Sequence, residues 1–327
     1  MTTENLTIDD IARELGVSKT TVSRSISGKG RISEATRRRV LDYIEKKNYR
    51  PNPVARGLAQ SRTYNIGWVV PGDSEMTTLF FFQKCMQGVI DAATEADYDV
   101  LITTVYDHNI NGLQRVLDNR KVDGVILGQT LIRDPGILAL KKSGIPFVTI
   151  GSTEEKNVVQ VDNDHMRACR ELSSILKMKG IASAALIGGT EDKVVTRSRR
   201  QGFEEGMAGV PVEFHMNCEK NEEIERAVED VLRNRIECIV CEDDRICYVV
   251  LGKLKKEGIR IPDQVRVASF YNSALIEEYQ PAITSLKYDP MSLGYTACRT
   301  LLSMIDGEKP KARQMLGYEL MLRASTL

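Results

Sequence analysis

The chain reads as an α/β protein. A small N-terminal three-helix, helix-turn-helix head and a short hinge helix precede a larger core of doubly wound parallel sheets in two lobes. Three observations predict this. The first fifty residues carry apolar positions at helical spacing, punctuated by glycines. A Pro-containing stretch around residue 52 separates them from the rest of the chain. From Tyr64 onward, short apolar runs alternate with amphipathic segments.

The length of 327 residues exceeds one ordinary domain. The 42% hydrophobic and 28% charged residues are expected of a soluble globular protein, and no apolar run is long enough to span a bilayer. The N-terminus, MTTENLTIDDIAREL, lacks the basic and apolar regions of a secretory signal. Seven cysteines without a framework spacing point to free thiols and a reducing cytoplasm. Net charge is zero but unevenly spread. Residues 1–63 hold 13 basic and 7 acidic residues, leaving 32 basic and 38 acidic in the remainder. A basic head on an acidic body suits a head that meets phosphates, although chance scatter would look similar.

In the head, Ile8, Ile11, Ala12 and Leu15 form one helical stripe, started by Thr7 and Asp10 as a capping box and stopped by Gly16. Ser18 caps a second helix, Lys19–Ser27, with Val22 and Ile26 inward and a polar outer face. Gly28 and Gly30 close it. Ser33 starts a third helix with Val40, Leu41 and Ile44 inside and Arg37, Arg38 and Arg39 mostly outside. Two short helices around a tight turn, then a third, describe a helix-turn-helix whose second helix would enter a major groove. Periodicity alone leaves a purely structural three-helix bundle open. In the hinge, Asn52 and Pro53 make a sound helix start, and a helix of about eight residues does not persist alone in water.

In the body the apolar runs Ile66–Val70, Val100–Thr104, Val122–Leu127, Phe147–Ile150, Val158–Val161, Ala184–Ile187, Val212–His215, Cys238–Cys241 and Val265–Phe270 read as strands. Phe82–Ala96, Met166–Lys179 and Glu222–Arg233 read as helices between them. Nine strands are too many for one sheet of usual width, so two lobes are expected, with ligand beyond the carboxyl ends of the strands.

The run from Thr7 to Gly67 resembles the head and hinge of the Lac repressor/galactose repressor family, a group of bacterial transcriptional regulators. Val17-Ser18, Thr21-Val22-Ser23-Arg24, Tyr49-Arg50-Pro51-Asn52 and Val54-Ala55-Arg56 stand where that family has them. A weaker likeness continues through Asp123-Gly124-Val125-Ile126, Ile145-Pro146, Val161-Asp162-Asn163, Ile187-Gly188-Gly189, Gly202-Phe203, Ile261-Pro262 and Arg323-Ala324-Ser325-Thr326. It implies a two-lobed core similar to periplasmic binding proteins. The domains expected are a head over 1–51, a hinge over 52–63, a first lobe over 64–159 and 290–319, and a second lobe over 160–289 and 320–327.

The resemblance implies DNA contacts from Thr7, Ser18, Lys19, Thr20, Thr21, Ser23 and Arg24, and from Asn52, Val54, Ala55 and Leu58 in the hinge. Lys19, Thr20 and Arg24 would read bases. Arg bridges guanine O6 and N7, Lys donates to the same edge, and a Thr methyl meets a thymine methyl. Ser18, Thr21 and Ser23 would hold phosphates and fix register. The effector site would include Phe81 and Phe82 as an aromatic wall, Arg199 as a gripping arginine, Asp243 where an Asn is common, and Tyr271. The family often has an Asp at the positions of Gly151 and Tyr271, and a shorter loop than Pro71–Phe80. Tyr271 could stack on a ring instead. The alternative for each aromatic is plain core packing.

The implied function is a homodimeric, repressor-type regulator that binds pseudo-palindromic double-stranded operator DNA. Its effector would be a small molecule, a sugar or sugar derivative, with no cofactor and no membrane partner. A protein co-effector, a solute-binding protein and an enzyme on the same scaffold are the rival readings. Other signals are set aside. Cys238 and Cys241 fall on a strand, where i and i+3 point to opposite faces. His108, His165 and His215 lack metal spacing. Gly188-Gly189 lacks the Lys-Ser/Thr of a phosphate loop.

An exposed leucine on a hinge calls for a role, and the family inserts one between base steps of the minor groove. Leu58→Ala removes that wedge while keeping helix propensity. Specific binding should weaken and bending diminish, while the salt-dependent, non-specific term stays nearly unchanged. Fluorescence transfer between dyes at the ends of a short operator reads the bend. Equal bending at saturation would reduce Leu58 to a linker residue.

Overall fold

The computed structural model describes residues 6–28, 30–47, 49, 57, 62–72, 78–106 and 108–327. They belong to two compact units, Met1–Thr63 and Tyr64–Leu327. Asn52, Val54, Ala55 and Leu58 of the hinge lie outside the described residues, as do residues 73–77 of the long loop.

The head consists of α1 (Ile8–Leu15), α2 (Lys19–Ser27) and α3 (Glu34–Lys46). Each begins at a hydroxyl cap: Thr7, Ser18 and Ser33 accept from the backbone of Asp10, Thr21 and Thr36. Gly16 ends α1 at φ 62°, a left-handed conformation that a side chain would resist. Ile11, Ala12, Val22 and Val40 form the buried centre. Leu41 departs from expectation: it is 43% exposed. At 100° per residue, α3 turns Val40, Tyr43 and Ile44 toward this small core, and Leu41 rotates out of the stripe.

The larger unit holds two six-stranded sheets. The first contains β1 (Asn65–Pro71), β2 (Asp99–Val105), β3 (Gly124–Leu127), β4 (Phe147–Ile150), β5 (Val159–Asn163) and β11 (Arg313–Leu316), in the order β11-β5-β4-β3-β1-β2, all parallel. The second contains β6 (Ala184–Ile187), β7 (Val212–His215), β8 (Cys238–Cys241), β9 (Arg266–Ser269), β10 (Thr284–Lys287) and β12 (Glu319–Met321). Its order is β12-β10-β9-β8-β6-β7, parallel except for the β10–β12 pair.

Alternate strand residues feed opposite cores. In the first sheet Ile66, Trp68 and Ile126 pack on α4 (Thr78–Thr94) and α12 (Pro290–Ile305). Val69, Val125 and Leu127 pack on α5 (Asn111–Asp118) and α6 (Pro135–Ser143). In the second, Leu186, Cys238 and Val240 face α7 (His165–Met178) and α8 (Val194–Gly206). Ile187, Ile239 and Cys241 face α9 (Asn221–Arg233), α10 (Asp244–Lys256) and α11 (Ala274–Glu277). Cys238 and Cys241 thus lie in different layers, and all seven cysteines are buried free thiols.

Several boundaries differ from the sequence reading. The helix placed at Phe82–Ala96 runs from Thr78 to Thr94. Strands β10, β11 and β12 have no counterpart among the nine expected. β11 and β12 are short strands at sheet edges with partly exposed faces. β10 is polar yet buried, because Thr284 and Ser285 are satisfied by the C-terminus. The Arg323 backbone N–H donates to Thr284 Oγ1 at 2.9 Å and its guanidinium to Ser285 Oγ at 3.3 Å. Strand β5, divided between lobes at 159/160 by the sequence reading, lies wholly in the first sheet. Alternation along a strand does not reveal which sheet it joins.

Helices α4 and α12 approach backbone to backbone. A methyl group on Gly294 would fall on the Cys85 carbonyl, and one on Gly88 on the Met291 carbonyl. Neither backbone can yield cheaply. Gly294→Ala should cost at least ~1–3 kcal/mol through overpacking. Urea unfolding of the full chain measures it, and an unchanged midpoint would mean that the two helices slide apart freely.

Candidate nucleic-acid interface and interlobe cleft

On the head, α2 commits Val22 and Ser25 to the interior, and the Ser25 hydroxyl donates to Thr21 O at 2.8 Å. Lys19, Thr20, Ser23 and Arg24 are exposed, and Thr21 is half-buried. Ser18 Oγ lies 2.8 Å from Thr21 Oγ1 and accepts the Thr21 N–H at 3.1 Å, so the two hydroxyls fix the first turn. Lys19 Nζ sits 2.5 Å from Asp9 Oδ1, with both side chains largely in solvent. Such a pair is worth little and gives way to a stronger anion. The stem of Arg24 lies over Gly30, where an added Cβ would come within 3.0 Å of Arg24 Cδ.

Thr7 is committed to its cap: its hydroxyl donates to Asp10 Oδ2 at 2.5 Å and accepts the Asp10 N–H at 3.3 Å. The arginine run is not simply solvated. Arg37 Nη2 donates to Gly28 O at 3.1 Å, and Arg39 Nη2 donates to Leu15 O. Both arginines therefore hold carbonyls at the ends of α2 and α1, where helices leave acceptors unfilled.

In the core, Phe81 belongs to the apolar clusters of both lobes. Its ring meets Phe82 edge-on at 5.3 Å and Tyr271 at 5.9 Å. Tyr271 lies parallel to Tyr288 at 6.2 Å, and Tyr288 touches His165 at 4.9 Å. Phe82 itself is buried in the first-lobe core. Arg199 is buried and donates from Nη1 to Glu242 O at 3.0 Å, with Glu242 Oε1 at 3.9 Å. Burial opposes its charge, but Glu242 more than compensates and holds the guanidinium above its usual range. Asp243 caps α10, accepting the Ile246 N–H at 2.8 Å.

Beside these lie residues that sequence reading did not assign to the cleft. Asp162 Oδ2 accepts from Ser152 N and Oγ at 2.7 and 2.9 Å, and Asp162 Oδ1 is 3.5 Å from His165 Nε2. Burial keeps His165 below its usual pKa despite Asp162, so the imidazole is neutral. Arg199 Nε, His165 Nδ1, Tyr288 OH, both side-chain polar atoms of Asn163 and Asp244 Oδ2 are buried and have no hydrogen-bond partner among the described residues. A burial of this kind costs about 1–3 kcal/mol per group unless something else fills it. A signal existed in the strand-terminal clusters VDNDH and CEDD, but their pairing with Arg199 is not written in the chain.

Gly151 explains one departure from the family pattern. Its φ is 112°, and a Cβ there would lie 2.8 Å from Thr130 Oγ1, so this backbone has no place for an aspartate. The lobes also touch at the mouth. Ile132 N donates to Asp192 O at 2.7 Å, Val194 N donates to Thr130 O at 3.2 Å, and His108 Nε2 stands 2.9 Å from Asp192 Oδ2.

Asp244, next to Tyr271 in this cleft, has its carboxyl raised from 3.8 to about 6, by burial first and then by the charge of Asp243. The native state therefore keeps a proton that the unfolded chain releases. Stability falls as pH rises through that window, by an amount on the order of 2–3 kcal/mol, and the loss is complete above it. Asp244→Asn should recover stability of that order at pH 8 and almost none at pH 3.5. Urea midpoints at the two values test this, and equal gains at both would rule out the titration.

Comparison with known proteins agrees with this architecture. The bacterial regulatory proteins of the lacI family match residues 7–52, and a periplasmic binding protein-like domain matches residues 174–326. Catabolite control protein A of Staphylococcus aureus is 29% identical over 314 residues, covering 93% of this chain and 94% of that protein. The structure of the transcriptional regulator CelR in complex with cellobiose superposes with a TM-score of 0.73 at 28% identity, over 98% and 99% of the two chains. The lac repressor dimer bound to operator and an anti-inducer shares the fold, with a TM-score of 0.81 at 20% identity over 99% and 100%. With its helix-turn-helix head, its exposed α2 and its two-lobed core in one chain, the protein joins a head of the lacI family of bacterial regulatory proteins to a periplasmic binding protein-like domain.

Proposed function

We propose that the protein is a homodimeric repressor whose hold on a pseudo-palindromic operator is set by a sugar-like effector bound between the lobes. The carrying observation is the set of buried, unpartnered polar atoms on Arg199, His165, Tyr288, Asn163 and Asp244 beside the rings of Phe81 and Tyr271. The set holds both donors and acceptors, and an aromatic wall stands next to it, which suits a hydroxyl-bearing ring. The cellobiose complex of CelR, a relative of similar length, supports the same class of ligand. The head argues for two copies: one α2 reads a half-site, and two-fold symmetry matches a palindrome. Effector binding would shift the lobes between two arrangements, and hinges that form or melt would carry the coupling free energy to the operator. Lys19, Thr20 and Arg24 would read bases, with Ser18, Thr21 and Ser23 on phosphates. Thr7 would contribute its backbone rather than its committed hydroxyl. Phe81, Arg199, Asp243 and Tyr271 would contact the effector, with Phe82 supporting Phe81 from behind.

Selection of sites from a random DNA pool, followed by gel shift with and without cellobiose and other glycosides, tests the whole reading. A palindromic consensus released by one of these sugars is expected; no consensus would remove the DNA-binding role. Arg24→Ala should cost roughly 1–3 kcal/mol at the selected site and relax one base position in each half-site. An unchanged consensus at unchanged affinity would take Arg24 out of the reading set.

A further inference from the structure

The pair Gly188-Gly189 has no phosphate-loop sequence, yet the structure uses it to bind an anion that belongs to the protein. Glu242 comes directly after β8 and is buried. Its Oε2 accepts the Gly189 N–H at 2.6 Å, and its Oε1 accepts the Thr196 hydroxyl at 2.6 Å. Arg199 completes the surround at 3.9 Å. A backbone N–H from a glycine pair, a hydroxyl from the first turn of α8 and a buried guanidinium are the donors that phosphates and carboxylates meet in ligand sites. Gly188 is needed for the approach: a Cβ there would stand 2.9 Å from Glu242 Oε2, whereas one on Gly189 would make an ordinary contact at 3.6 Å. The cradle opens at the carboxyl ends of β6 and β8, the edge at which such sheets take ligands.

The charge is required as well. An arginine does not give up its proton, so a guanidinium buried to this degree must have a counter-ion. Asp243, half-buried, comes next to Glu242 in the chain, and its charge acts on both Arg199 and Glu242. We propose that Glu242 is a resident anion that fills the phosphate-type cradle of this cleft and thereby restricts the effector to uncharged molecules, excluding phosphorylated sugars. The proposal rests on the cleft being the effector site; the identity of Glu242 as an internal anion does not depend on which sugar binds.

Two substitutions test it in the full chain. Glu242→Gln keeps the shape and removes the charge. Glu242→Ala empties the cradle. Thermal shifts are read with cellobiose, glucose, glucose 6-phosphate and inorganic phosphate at matched ionic strength. The parent should respond to neither phosphate compound. Glu242→Gln should bind glucose 6-phosphate at least tenfold more tightly than the parent. Glu242→Ala should have a lowered melting temperature that acetate or inorganic phosphate restores by several degrees, with chloride giving no such rescue. Binding of glucose 6-phosphate by the parent as tight as by Glu242→Gln would overturn the proposal. So would a folded Glu242→Ala variant that no anion rescues. If Glu242→Ala does not fold, the isosteric Glu242→Gln and the parent still decide through their difference for glucose 6-phosphate. Anion rescue in a chain that ignores every neutral sugar would leave the role of Glu242 standing and defeat the sugar reading. The converse, a sugar response without rescue, would do the opposite.

Discussion

A parallel sheet must hide both of its faces, and this chain builds two such sheets. Central strands such as β1 and β8 therefore carry apolar side chains in both directions, as Trp68 and Val69 or Val240 and Cys241 do on neighbouring positions. Helices have to cover four faces. Close covering has its own demands, seen where Gly88 and Gly294 let α4 and α12 meet at their backbones. Once all four faces are sealed, the carboxyl ends of the strands are the edges left for chemistry, and the two lobes turn these edges toward each other around Phe81 and Tyr271.

What those edges carry is governed by one buried charge. Arg199 is held by Glu242 and cannot be neutral, so the carboxylate, the Gly188-Gly189 turn and Thr196 are arranged around it as a unit. Removing one member of a buried pair leaves the other uncompensated, which is far more costly than exchanging the whole pair. The same region stores the unsatisfied atoms of His165, Tyr288 and Asn163. A family-level expectation makes Arg199 a free hand for the ligand. In this chain its Nη1 is occupied, and its buried Nε has no partner among the described residues.

The head is held together differently. Its core is only a few side chains, so hydrogen bonds at helix ends do much of the holding: Thr7 with Asp10, Ser18 with Thr21, Arg37 with Gly28 and Arg39 with Leu15. This frees the outer face of α2 from structural duty. It also divides residues that look alike in sequence. Thr7 and Thr20 are both exposed hydroxyls, but the first is consumed by a cap.

Much of this was legible in the chain itself. Caps and glycine stops are local, so the helix starts at Thr7, Ser18 and Ser33 are set by their own neighbours. Strands such as Ala184–Ile187 and Cys238–Cys241 announce themselves because burial on both faces leaves an unbroken apolar run. The match of the head to its family rests on contiguous residues and needs no structure. Tertiary structure alone decided the rest. Strand β10 is polar and becomes a strand through hydrogen bonds to Arg323 and Ser325, some forty residues away. β5 has the same alternation whichever sheet it joins, and only its pairing with β4 and β11 assigns it. Leu41 has the right chemistry for a core and lies a third of a turn outside it. The meeting of Glu242 with Gly189 and Arg199 spans more than forty residues. Sequence supplies the groups for it, and the fold fixes the distances that turn three of them into an anion site.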